Sequence, residues 1–480
     1  MIPAADLCYT ACIIIKEVLM LQEIMAGQKA AFSASAHTEL RGQLNRSRRV
    51  SMLAGSIVSN SRTDVSGVSA RVYKNGTYGF SSMAEYSDEA ARTVLKAASE
   101  NAAFMDRHAG RGLPSLPPLR KQSFPLTADI HDVAQRTYIG FLRSLDAYMV
   151  EHCPGLISRS LSATEDSMEK VLLTSDAMDA HTILPRSYCY LIMTAETPDG
   201  APVELFQALG GEGTFDLNFT DPALVYPQID ALYERIMHKR EGVYADAGKK
   251  TVILGGMMTG MLSHEAVGHT VEADLVLGGS VAGHCLGRKV ASEKVTLTDF
   301  AHTAFGERCP LPVFVDDEGT EAKDVPLIEN GILTGYMNSR QSAQHFGMEP
   351  GGNARAWLFS DEPLIRMRNT AVHPGTDHLE DMIASIDDGY YLIDSGNGQA
   401  DTTGEFMFGV TMGYEIKHGK LGRALLDTTI SGVAFDMLKT VDMVSDTVVW
   451  SSSGFCGKKQ PMPVGMGGPA LRCQVTIGGR

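Results

Sequence analysis

Residues 251–274, "TVILGGMMTGMLSHEAVGHTVEAD", hold the turning point of the chain. An apolar, β-like run (Thr251 to Leu254) meets two glycines and passes into a helical pattern from about Gly256 to Asp274, which carries two histidines and a glutamate within six residues. Just upstream, His238 to Lys250 ("HKREGVYADAGKK") is polar and breaks the composition. A domain boundary is expected there, giving an N-terminal domain over 1–240 and a C-terminal domain over 241–480. Two domains also suit a chain of 480 residues, which is long for a single core.

The first half reads as mixed α/β. "VSARVYKNGTYGF" (Val68 to Phe80) alternates around Asn75-Gly76, a strong short hairpin signal. A helix follows, with Ser87 as N-cap, Asp88 and Glu89 in its first turn and apolar residues recurring to Phe104. Further helices are expected over Ile130 to Val150 and Pro222 to Ile236, with several short strand-like runs over Gly155 to Phe219. The second half is rich in glycine and in turn signals such as "DDEGT", "ENGILTG", "DSGNGQADTTGEF" and "KHGKLGR", the pattern of a barrel-like or sandwich-like β domain. The expected class is α+β: an α/β N-terminal domain, then a β-rich, barrel-like C-terminal domain carrying the His-Glu helix.

A formal net charge of −15 argues against a general nucleic-acid binder, which needs clustered Lys and Arg. Arg46, Arg48 and Arg49 form one short basic run, read as a strand or loop edge. No stretch of eighteen uninterrupted apolar residues occurs, so no membrane partner is expected. The apolar run Ala11 to Ile15 lacks a preceding basic region and is soon broken by Lys16 and Glu17, which suits an amphipathic opening helix better than a signal peptide. The eight cysteines are scattered without a CxxC, the usage expected of reduced thiols in the cytoplasm. Cys473 sits in an alternating apolar strand pattern and belongs to the core. Cys456, between Gly454 and Gly457 in a Gly- and Pro-rich loop, is in a setting suited to presenting a thiolate rather than burying it.

In a regular α-helix, histidines four apart are offset by about 40° and can share an ion; five apart, as His264 and His269 are, they are offset by about 140°. A metal site therefore requires a distorted helix, and Gly268 offers a place for a bulge or kink. The plain alternative is a chance pairing among fourteen histidines. A catalytic zinc usually takes three protein ligands, so a third must come from elsewhere. Glu272 and Asp274 are open as ligands or as partners that orient a histidine, or as a solvated helix end. His284-Cys285 and the late Cys456 are the other candidates.

Taken together, "HEAVGHTVEAD", the late "CGK…PVG…GGPALR…TIGG", and the segments "DDEGTEAKDVPLIENGILTGYMNSRQSA", "RMRNTAVHPGTD" and "TTGEFMFGV" resemble the TldD/PmbA metallopeptidases, also described as modulators of DNA gyrase. The likeness covers most of the second half and, more loosely, the hairpin and first helix. It implies zinc (Zn2+) held by His264, His269 and Cys456, with Glu265 as general base, in a zinc-dependent peptidase acting on short or unfolded peptides inside a dimer cavity. It also implies a homodimer, or a heterodimer with a metal-less PmbA/TldE-like paralogue. Because the His-Glu motif is intact, the chain looks like the TldD-like, catalytic side of the family. The loop after Cys456 is one residue shorter than the family pattern, and the first forty or so residues match poorly. Two other readings are a non-catalytic subunit of such an assembly and a hydrolase of small amides.

Overall fold

A computed structural model of the chain describes residues 23, 25–32, 36–110, 112, 115–120, 123–125, 131–176 and 178–478. The opening helix expected from Ala11 onward, with Cys8 and Cys12, lies outside the described residues.

The N-terminal half is built on long antiparallel strands: β1 (His37–Leu53), β2 (Ser56–Lys74), β3 (Thr77–Met83), β4 (Ser158–Thr174), β5 (Asp179–Glu196) and β6 (Pro202–Glu212). Their order across the sheet is β3-β2-β1-β4-β5-β6, and residues 123–125 add a short parallel strand to β5. The β2–β3 hairpin turns at Asn75 and Gly76, both with positive φ (49° and 92°), as a two-residue primed turn requires. Helix α1 (Asp88–Ala109) is capped by Ser87, whose Oγ accepts the Ala90 N–H at 3.1 Å, and it buries Val94, Leu95 and Ala98 against Leu40, Val68 and Val72 of the sheet. Helices α2 (Gln135–His152) and α3 (Tyr226–Arg240) share a second core with Val50, Leu161, Leu191 and Leu205.

Two expectations need correction here. The short runs expected between Gly155 and Phe219 are strands of 17, 18 and 11 residues. Polar residues that look like breaks are cross-strand pairs instead: Asp166 stands opposite Arg186 and accepts from its Nε and Nη2 at 2.7–2.9 Å. Helix α2 also begins at Gln135 rather than near Ile130. Asp132 and the Val133 carbonyl are taken by Arg48 of β1, which ties the segment before the helix to the sheet.

The C-terminal half contains a closed five-stranded barrel. Strands β7 (Gly248–Leu254), β8 (Asp388–Ala400), β9 (Glu405–Lys417), β10 (Thr428–Val433) and β11 (Leu471–Ile477) pair in that order, and β11 closes back onto β7. Closure removes free edges, and both faces of β7 are buried: Val252 and Leu254 join the main core, while Ile253 packs with Met382 and Ile416. A second sheet of short strands stands beside it, including 297–300, 325–329, 369–372 and 465–468. The polypeptide leaves β7 directly into the helical segment that carries the His-Glu motif. Met258, Leu262 and Ala266 of that segment enter the same core as Phe408, Val410 and Cys473. The halves also touch through polar groups: Arg71 Nη2 donates to Glu318 at 2.6 Å and Lys170 Nζ to Asp317 at 2.6 Å. Among the described residues no helix is long and apolar enough to cross a membrane.

Candidate metal centre

The expected single helix over 256–274 is three kinds of turn in succession. It is α-helical over Gly256–Met261, π-helical over Leu262–Gly268 and 3-10 over His269–Val271, and it then breaks at Glu272, which is extended (ψ 123°). The break has a cause. Residue 272 bridges to Met337, whose N–H donates to the Val271 carbonyl while its own carbonyl accepts the Ala273 N–H, both at 3.0 Å. In a π turn the N–H of residue i+5 bonds the carbonyl of residue i, so residues five apart come to the same side. Here that bond joins the two histidines themselves, from the His269 N–H to the His264 carbonyl. The wide turn thus supplies the distortion that the spacing demands.

Gly268 plays a different part from the one its flexibility suggests. Its backbone is ordinary right-handed helix (φ −54°, ψ −49°). A Cβ there would lie 2.1 Å from Met367 Sδ and 2.9 Å from the Ser263 carbonyl oxygen, so the glycine permits close packing over the π turn.

One ligand atom each from His264, His269 and Cys456 lies within 4.8 Å of the other two, and Cys456 Sγ is 3.3 Å from His269 Nε2. The late cysteine arrives on a short strand, Phe455–Cys456, paired with Met462–Pro463. It is 3% exposed, so the loop buries the sulfur toward the histidines rather than presenting it to solvent. Cys473 is buried in the barrel core as expected, and His284 and Cys285 are not brought to the cluster.

Several features suit this trio to a metal. His264 is buried, yet neither ring nitrogen has a hydrogen-bond partner, an expensive arrangement unless something binds there. His269 Nδ1 lies 2.7 Å from Glu272 Oε2, which fixes a proton on Nδ1 and makes Nε2, the nitrogen facing Cys456, the one a metal would take in place of its proton. Burial acts to raise the Cys456 thiol, but the approach of His264 and His269 outweighs it and holds it down to about 4. Burial likewise acts to lower His269, but Cys456 and Glu272 lift it to about 10. Two nitrogens and a thiolate are a donor set that zinc favours. Glu265 is about one-quarter exposed, and its carboxylate oxygens stand 3.9 Å from His264 Nε2 and 3.8 Å from His269 Nε2, beyond direct hydrogen bonding but within reach through one water.

Around these groups stand residues whose role the sequence alone did not suggest. Lys458 Nζ donates to both Asp274 oxygens at 3.0 Å and to the Ile365 carbonyl at 2.7 Å, and it lies 3.1 Å from Glu272 Oε2. Arg366 is fully buried and donates to the carbonyls of Cys456, Lys458 and Gln460, each at 2.7 Å, pinning the backbone of the cysteine loop. An arginine in a strand-like stretch carries no local mark of such a role, because all its partners lie about ninety residues away. Glu272 and Asp274 fall around the histidine and the lysine, outside the trio.

Comparisons with known proteins place the chain in a family. Residues 247–479 match the PmbA/TldA metallopeptidase C-terminal domain, and 38–102 match domain 1 of the same family. A metalloprotease of Methanothermobacter thermautotrophicus is 30% identical over 457 residues, covering 92% of this chain and 95% of that protein. A zinc metalloprotease TldD homolog of Saccharolobus solfataricus is 35% identical over 250 residues, 52% of this chain and 56% of its own. The crystal structure of TldE from Thermococcus kodakarensis shares the fold, with a TM-score of 0.74 at 18% identity over 96% of this chain and 100% of that one. The chain belongs to the TldD/PmbA family of metallopeptidases.

Proposed function

We propose that this TldD/PmbA-family chain is a zinc-dependent peptidase in which His264, His269 and Cys456 hold the metal and Glu265 moves the proton. The observation that carries the reading is the buried His264, with both ring nitrogens unpartnered, beside a sulfur and a histidine that already face one another. Zinc bound by these three residues supplies Lewis acidity toward the scissile carbonyl and makes water nucleophilic near neutral pH. Glu265 takes the proton of the attacking water and returns it to the leaving amine. Its partial exposure, with that of His269, leaves an approach for substrate, while His264 and Cys456 stay covered.

Short or unfolded peptides are the substrate class, cleaved inside a cavity enclosed by a dimer of this chain or of this chain with a TldE-like partner. The TldE-like fold supports the second pairing. The domain boundary falls near residue 240, with the chemistry borne by 241–480. A reducing cytoplasm is the setting in which the Cys456 thiolate stays available.

Metal analysis of the purified protein by mass spectrometry tests the site, with about one zinc per chain expected in the wild type and a sharp loss in His264→Ala and Cys456→Ala. Glu265→Gln should keep the zinc and lower kcat on linear peptides by roughly 10²–10⁴-fold. A wild type that takes up no zinc, or a Glu265→Gln protein with undiminished turnover, would sink the reading.

A further inference from the structure

We infer that Lys458 is a positioning residue for the metal centre, locking the cysteine loop to the second histidine through Glu272. The inference rests on reading His264, His269 and Cys456 as a metal site. Lys458 follows Cys456 by two residues, just past the end of the Phe455–Cys456 strand, and its side chain reaches the acidic residues that follow His269. The lysine side chain is only 10% exposed; its ammonium donates to both Asp274 oxygens and to the Ile365 carbonyl, and it pairs as a charge with Glu272 at 3.1 Å. The Glu272 oxygen that Lys458 meets at 3.1 Å is the one that faces His269 Nδ1 at 2.7 Å.

The contacts therefore close on themselves. Cys456 Sγ faces His269 Nε2, His269 Nδ1 faces Glu272, Glu272 faces Lys458, and Gly457 leads back to Cys456. Glu272 is fully buried and its Oε1 has no partner, so Lys458 is the cation that keeps this carboxylate anchored behind the ring. Without Lys458 the carboxylate is left with His269 alone, and the imidazole is no longer held at a fixed angle to the sulfur. Orienting groups of this kind set the metal affinity of the ligands they support.

Arg366 makes the idea separable from folding, because it holds the carbonyls of Cys456, Lys458 and Gln460 whether or not the lysine side chain is present. Zinc affinity is read on the full chain by competition with a chromogenic chelator, and the geometry by the thiolate-to-cobalt absorption of the cobalt(II)-substituted protein. Lys458→Met is expected to bind zinc roughly 10–100-fold more weakly and to show a shifted, weakened cobalt band, while the metal-free protein, less stable for the loss of the cation beside Glu272, still unfolds cooperatively. Lys458→Arg, which keeps the charge but not the compact ammonium, is expected to recover part of the affinity. A Lys458→Met protein with zinc affinity within about threefold of wild type, and an unaltered cobalt band, overturns the inference. Should Lys458→Met fail to fold, Asp274→Asn is read instead: it strips one partner from the ammonium at a partly exposed position. A drop of roughly three- to tenfold is then expected, and no drop overturns the inference. The readouts also separate this inference from the proposed activity. A wild type that takes up no zinc overturns both, whereas one that binds zinc but cleaves no peptide removes the peptidase reading and leaves the lysine effect measurable.

Discussion

The C-terminal half holds two buried polar clusters of opposite character. In one, Asp299 and Arg368 are both fully buried and fully engaged. The two carboxylate oxygens take the Arg368 backbone N–H and Nε, Thr370 Oγ1 and Asn353 Nδ2 at 2.7–3.1 Å, and the remaining guanidinium nitrogens reach the carbonyls of Gly351, Lys323 and Asp299. In the other, His264 is also buried, and neither ring nitrogen has a hydrogen-bond partner although the ring stands beside Cys456 and His269. A closed network of buried charge serves as scaffold, whereas buried donor atoms left open mark a place for a ligand. The first cluster holds the strand before residue 372 in place, and the second waits at the wide turn beside it.

The contrast can be broken in several ways. The largest effect belongs to the closed cluster: Arg368→Met leaves Asp299 as an uncompensated buried charge and should cost about 3–5 kcal/mol of stability. A guanidinium chloride midpoint close to wild type would show that the network is not a scaffold. Next comes the ligand effect. Zinc at about 100 times its Kd should raise the unfolding free energy of the wild type by about 2.7 kcal/mol and that of Cys456→Ser not at all. Equal stabilisation of both proteins would mean that the ion sits elsewhere. Smaller again is the change in the metal-free protein on His264→Leu, which exchanges an unsatisfied polar ring for an apolar side chain and should stay within about 1 kcal/mol of wild type. A loss as large as that of Arg368→Met would erase the distinction between the clusters.

The smallest effect is a pH dependence at the contact between the halves. Burial acts to raise the partly exposed Asp176 carboxyl, but the His37 hydrogen bond and charge, the Leu119 N–H and Arg340 outweigh it and hold it at about 2. The folded value lies below the unfolded one, so the contribution is present in full above about pH 4 and is lost as pH falls through about 2. Solvent screening limits it to about 1 kcal/mol. Asp176→Asn should therefore lose slightly less stability than wild type between pH 4 and 2 in urea midpoints, and an identical slope would deny the pair any role.

What the sequence made legible was local or spacing-bound. The Asn75-Gly76 turn, the Ser87 cap and the turn-rich second half each rest on a few adjacent residues. The five-residue step between His264 and His269 demanded a distorted helix without revealing its kind: the strain is spread over a π turn, and Gly268 is needed for contact with Met367. The long strands of the first half were obscured because residues such as Asp166 and Arg186 find their partners across the sheet. Arg366, Lys458 and the burial of Cys456 depend on contacts between segments roughly ninety to 190 residues apart, and no local pattern encodes them.

Counted as length, the π turn is one surplus residue stored between two ligands. Removing Ala266 would leave the order His-Glu-Val-Gly-His, in which a plain α-helix already aligns both rings. The donors themselves thus have no need of the surplus. What such a deletion would disturb is the coupling at the helix's other end, since each residue taken out turns one flank against the other by about 100°. That flank is β7, whose register is shared with β8 on one side and β11 on the other. The extra residue works as a phase adjustment between barrel and ligand pair, and tolerance to insertion or deletion in this segment is governed by the barrel rather than by the ion.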